Sequence, residues 1–150
     1  MPPNDLPRIQ PHDLDAERAI LGAVALDRSA LSEAQELIAA KDFYDSRHRR
    51  VFEAMAELVG NNEAIDLLTV GSRLEQNGSL KAIGGRGNLA ELLTTVASSS
   101  NIGQHCRIVR DHAIRRRVID ISANLSRRAY DGEASEDLLQ DAGRLLGDVI

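Results

Sequence analysis

Tryptophan is absent from this sequence, and only Phe43, Tyr44, Phe52 and Tyr130 carry aromatic rings. Proteins that bind single-stranded nucleic acid normally stack bases on aromatic platforms, and four scattered rings do not make one. Excess positive charge is missing too: 18 Lys and Arg face 23 Asp and Glu, for a net charge of −5. Gripping phosphates needs the opposite balance, so direct DNA contact by this chain is expected to be weak or absent. The single cysteine, Cys106, cannot form an internal disulfide and fits a reducing compartment. No apolar run approaches the roughly 18 residues needed to cross a bilayer. The first ten residues also lack the apolar stretch of a secretory signal. Together these absences predict a soluble, cytoplasmic domain without membrane contact.

Chemistry-bearing motifs are equally scarce. Gly84-Gly85-Arg86-Gly87 is glycine-rich but lacks the Lys and the preceding strand of a nucleotide-phosphate loop, so it reads as a turn. His12, His48, His105 and His112 form no His-x-x-x-His pair and have no acidic partner at metal spacing, and they read as surface or capping histidines. His105 points about 100° away from Cys106 on a helix, which leaves that thiol without a base. Cys106 therefore reads as a buried structural residue. No catalytic, cofactor-binding or metal-binding residue is expected in this chain, and an enzyme is the weaker rival reading.

What is present is helical periodicity. A first helix is predicted at Leu14–Leu26, with Asp13 as N-cap and Asp15 and Glu17 complementing the positive helix start. A second spans about Ala30–Ile38. A third runs from Arg47 to Val59 behind a Ser46 cap, with Gly60 as its stop. Asp66 precedes a fourth, Leu67–Gln76, closed by Asn77-Gly78. The stretch Leu80–Gly87 reads as a turn and Asn88–Val96 as a fifth helix. No segment alternates with period two, so no strand is expected.

From Asn101 to about Tyr130 the helical pattern is unbroken, roughly 43 Å at about 1.5 Å per residue. Gly132 marks a stop. Ser135 caps a last helix whose pattern is still running at Ile150. Ile102, Cys106, Val109 and Ala113 share one stripe of the long helix. Ile114, Val118, Ile121, Leu125 and Ala129 form another, rotated by roughly 130°. A helix that changes its buried face halfway serves two neighbours: first a bundle, then a hairpin partner. The fold class is therefore all-α, a compact bundle of short helices followed by a long helical hairpin. Its parts are a flexible arm over 1–12, a globular head over 13–105 and the hairpin over 106–150.

The hairpin has more apolar surface than one contact requires. Leu138, Ala142, Leu145 and Val149 form one seam of the last helix, and Leu139, Leu146 and Ile150 widen it to about 140°. Two hairpins are therefore expected to pair through Leu138, Leu139, Ala142, Leu145, Leu146 and Val149, together with Val118, Ile121 and Leu125 of the long helix. Charge favours the antiparallel arrangement. Residues 107–130 hold seven Arg against Asp111 and Asp120, whereas residues 131–150 hold six acids against Arg144. Ile119 lies off the apolar stripe, between Arg115 and Arg116, and is a candidate partner contact. The Arg115–Arg128 face reads as a solvated face paired to the acidic arm. Nucleic acid or an acidic partner is the alternative, and a nucleic-acid-binding module is the rival function.

Short motifs occur along the chain in a recognisable order: Pro11-His12, Asp15-Ala16-Glu17, Leu21-Gly22, Asp42-Phe43-Tyr44, His48-Arg49, Ile65-Asp66-Leu67, Leu74-Glu75, Gly84-Gly85, Leu89-Ala90-Glu91-Leu92, Asn101-Ile102 and Ile108-Val109-Arg110. From about Leu6 to Ile150 the chain resembles the amino-terminal domain of DnaB-type replicative DNA helicases of bacteria and their phages. The resemblance implies a helical head and hairpin, hairpins that pair subunits, and six subunits arranged as a trimer of dimers. It implies a collar on an ATPase ring that uses ATP and Mg to unwind DNA. It also implies docking of primase, and of a helicase loader in some systems. The family's primase contacts align with Ile119 and Leu125, and Arg115 and Arg116 flank the first. For Leu125 the alignment conflicts with its place on the internal stripe. The ATPase domain with its phosphate loop is not in this sequence, which is expected to be a piece of a longer chain ending at the start of a linker.

Overall fold

The computed structural model describes residues 8–95 and 98–150, which hold seven α-helices and no strand. They are α1 Leu14–Leu26, α2 Ala30–Leu37, α3 Ser46–Gly60, α4 Leu67–Gln76, α5 Gly85–Thr94, α6 Ile102–Tyr130 and α7 Ser135–Gly147. None is long and apolar enough to cross a membrane. The chain divides into two compact units. One is His12–Asp111, and the other joins the described part of the segment ending at Pro11 to His112–Ile150. The predicted arm over 1–12 falls largely on residues 1–7, outside the described residues.

Caps explain where the helices of the first unit start. Asp13 accepts a bond from the Ala16 N–H at 2.9 Å. Asp66 accepts from the Thr69 N–H at 2.8 Å, and Thr69 Oγ1 accepts from the Asp66 N–H at 2.9 Å. Each cap satisfies a donor that the first helical turn leaves unpaired. Three predicted helix starts need correcting. The cap of α3 is Asp45, not Ser46: its carboxylate accepts from the Arg47 N–H at 2.8 Å. Helix α5 starts at Gly85 instead of Asn88, because Gly84 takes a left-handed φ of 98° that turns the chain early. Its predicted end at Val96 lies outside the described residues. At α7 the residue before the first turn is Ala134, which makes no side-chain cap bond, and Ser135 is already helical.

Helix α1 packs on α5 and α3 on α4 around a continuous core. Ile20, Leu21, Val24, Leu31, Met55, Leu58, Leu74 and Leu89 are all buried there. So are Phe43, in the connection between α2 and α3, and Ile83, in the stretch read as a plain turn. Ile102, Cys106 and Val109 join the same core from the start of α6, as their stripe predicted.

In the second unit α6 ends at a turn built on Gly132, whose φ is 81°. The Asp131 N–H bonds the Arg127 carbonyl at 3.0 Å and the Glu133 N–H bonds the Arg128 carbonyl at 3.2 Å, so the last carbonyls of α6 are satisfied. Helix α7 then runs back but does not continue to Ile150. It stops at Gly147, where the Asp148 N–H closes onto the Arg144 carbonyl. Val149 and Ile150 lie beyond the helix.

Candidate interaction surface on the hairpin

Arg128 clamps the hairpin. Its Nε and Nη2 donate to both carboxylate oxygens of Glu133 just past the turn, and Nη2 also reaches Asp141 Oδ2 of α7 at 2.7 Å. Nη1 donates to Asn124 Oδ1, one turn back on α6, at 3.3 Å. One guanidinium thus ties the basic arm to the acidic arm, as the charge pattern suggested. These bonds raise the Arg128 pKa and hold Glu133 and Asp141 below their ordinary values of 4.5 and 3.8. A carboxylate whose folded-state pKa is depressed stabilises the fold above its unfolded value, and that contribution is lost as pH falls through the depressed value. Acidification from about pH 5 to pH 2 should therefore loosen α7, read as faster amide exchange there. In Arg128→Ala that acid-dependent loosening should be gone. Its persistence would show that other groups hold the turn.

The apolar residues of α7 divide into two rows. Leu138, Ala142 and Leu145 are half-buried, as is Val149 beyond the helix. Leu139 and Leu146 remain 75% and 44% exposed, and Ile150 is fully exposed. No residue of α7 is fully buried. On α6, Ile121 and Leu125 are half-buried, whereas Val118 keeps 41% exposure. One row of α7 is thus partly covered within the chain, and the other is left more open, most of all at Leu139 and Ile150.

The candidate partner contacts separate as well. Ile119 is 43% exposed and Arg115 is exposed. Leu125 is half-buried, consistent with its place on the internal stripe. Arg116 corrects the picture of an open basic face. It is only 9% exposed, and its Nη1 donates to the Pro11 carbonyl at 2.8 Å. Nothing in the local pattern signals that bond, since the partners are 105 residues apart.

Sequence reasoning also missed the polar centre of the head. Glu17, read only as an acid complementing the positive helix start, is 1% exposed. It accepts from the Tyr44 N–H at 2.8 Å, the Asp45 N–H at 3.2 Å and His48 Nδ1 at 2.8 Å. His48, read as a surface or capping histidine, is itself buried. This cluster fastens α1 to the start of α3. His12 stacks on Tyr44 with ring centroids 4.2 Å apart. Cys106 is buried as expected, and burial, followed by the nearby Glu33 carboxylate, pushes its pKa up to about 12. At neutral pH it is a thiol, not a nucleophilic thiolate.

A family model described as the DnaB-like helicase N-terminal domain matches residues 9–111. The chain is 37% identical over 134 residues to the replicative DNA helicase DnaB of Geobacillus stearothermophilus, covering 89% of this chain and 30% of that protein. It is 34% identical over 143 residues to the replicative DNA helicase DnaC of Bacillus subtilis, covering 95% and 32%. It therefore spans about a third of the length of these curated relatives. The crystal structure of the N-terminal domain of DnaB helicase from Mycobacterium tuberculosis superposes with a TM-score of 0.88 at 30% identity, over 93% of this chain and 99% of that one. A DnaB-like replicative helicase whose structure was solved with its interactions with primase shares the fold at a TM-score of 0.74 and 23% identity, over 92% and 32%. With a head of buried helices, a clamped hairpin and these likenesses, the chain belongs to the DnaB-like helicase N-terminal domain family.

Proposed function

We propose that this domain is the collar of a hexameric replicative DNA helicase of a bacterium or phage, acting in the cytoplasm. It sets subunit assembly and docks primase, with a loader as a further partner in some systems. Duplex unwinding, with its ATP and Mg, belongs to an ATPase domain of the longer protein. The observation that carries this reading is α7, whose outer row keeps Leu139 75% and Leu146 44% exposed although the helix is amphipathic and clamped in place. Each large aliphatic side chain left in water forgoes roughly 1.5–3 kcal/mol. A second hairpin related by a two-fold axis would cover both rows at once, because such an interface presents the same patch from each side. Three such dimers make the six-membered ring.

The exposed side of α6 around Ile119 and Arg115 then serves the partner protein. Two solved proteins of this fold are described with their interactions with primase, and that supports primase as the partner. Leu125 supports the face from within the hairpin. A DNA-gripping module is less favoured, since Arg116 is covered and Arg128 is held by two carboxylates. The test is the double substitution Leu139→Asp with Leu146→Asp. It should give a single-chain molar mass in light scattering with helical content unchanged. An oligomer of the original mass would mean that the pairing seam lies elsewhere.

A further inference from the structure

The segment just before α1 has a defined place in the second unit. Gln10 Nε2 donates to Asp120 Oδ1 at 2.8 Å, and Arg116 Nη1 donates to the Pro11 carbonyl at 2.8 Å. The order of these bonds sets a direction. As the chain advances from Gln10 to Pro11 it passes from Asp120 back to Arg116, antiparallel to α6. Asp120 and Arg116 are about 6 Å apart along the helix axis, and an extended chain advances about 3.3–3.6 Å per residue. Ile9 directly precedes Gln10, whose side chain meets Asp120.

The strap covers Arg116 but leaves apolar groups bare. Ile9 is 79% exposed and Ile119 is 43% exposed. On a helical wheel Ile119 is about 60° from Arg116, so it borders the strap and is not beneath it. One exposed isoleucine is ordinary. Two on elements joined by these bonds, with Arg8 and Arg115 exposed on the same elements and Asp120 held by Gln10, offer a small apolar surface with charged neighbours. Such a surface suits a partner protein that offers an apolar anchor.

We propose that this strap is part of the partner-docking surface. Ile9, held by the Gln10–Asp120 and Pro11–Arg116 bonds, supplies with Ile119 the apolar contact for primase. The inference rests on the reading of α6 as the docking face and extends it to a segment 110 residues away in sequence. Continuity with that face favours the primase over a second copy of this chain.

The test is calorimetric titration of the carboxy-terminal helicase-binding domain of the cognate primase into four proteins: the unmodified chain, Ile9→Asp, a chain lacking residues 1–9, and Ile119→Asp. The first two altered chains should each bind about tenfold more weakly, with molar mass and helical content unchanged. Full affinity in both, with a loss in Ile119→Asp, overturns the strap and leaves the docking face intact. Full affinity in all three, or no binding by the unmodified chain, overturns both readings. A changed molar mass in Ile9→Asp assigns the strap to contact between copies and overturns its assignment to primase.

Discussion

Replacing Glu17 with alanine is expected to lower the melting temperature by roughly 10 °C, among the largest effects of any single substitution in the chain. The carboxyl group is 1% exposed and serves three donors: the Tyr44 and Asp45 N–H groups and His48 Nδ1. Alanine removes all three acceptor contacts and leaves those groups facing a space too small to hydrate them fully. A buried polar group without its partner costs about 1–3 kcal/mol, and a total of about 3–5 kcal/mol follows after partial relaxation. At about 2–4 °C per kcal/mol for a chain of this size, the shift should be plain in a circular-dichroism melt. Glu17→Gln keeps one acceptor and should fall between. An unchanged melting temperature in Glu17→Ala would show that the cluster contributes nothing to the head.

Phe43→Ala is expected to cost about 3–5 kcal/mol as well, for a different reason. The ring is fully buried and lies against Phe52, with centroids 5.1 Å apart and planes tilted by 44°. Truncation opens a cavity between the α2–α3 connection and α3 that the surrounding helices cannot close. Phe43→Leu, which keeps most of the volume, should cost less than about 1.5 kcal/mol. Phe43 and the Glu17 cluster hold the same short segment, since Glu17 bonds the very next N–H, that of Tyr44. Their effects should therefore not add. In a double-mutant cycle the combined loss should fall below the sum of the single losses, because either change frees the segment. Strict additivity would mean that the two anchors act on separate parts of the head.

The contrast between these residues and the helices explains what sequence could reveal. Helix starts with a capping side chain directly before an apolar stripe, at Asp13 and Asp66, were legible because the cap and the helix are local to one another. The first buried face of α6 was legible too, as Ile102, Cys106 and Val109 are buried; on the second stripe Ile121 and Leu125 are half-buried, whereas Val118 and Ala129 are exposed. The two rows of α7 followed from spacing alone. Three features were not legible. Gly84 and Gly85 signal a turn equally well whether the helix begins at Gly85 or later. Glu17 sits in a first helical turn, where acids are favoured at the surface, and its partner His48 is 31 residues away. Arg116 looks like one more member of an arginine run until the Pro11 carbonyl reaches it across 105 residues. The last two depend on tertiary contacts that no local period encodes.

The central claim is that the outer row of α7 is covered by another copy of this chain. Amide exchange of α7, followed while the protein is diluted, tests it most directly. Exchange at Leu139 and Leu146 should quicken on dilution in step with a fall in molar mass, while the buried amides of α1 and α3 stay protected. Leu139→Asp with Leu146→Asp should show the fast exchange at every concentration. If α7 is equally protected at all dilutions, and identical in that variant, the hairpin is satisfied within one chain and the account of the domain as an assembly module is contradicted.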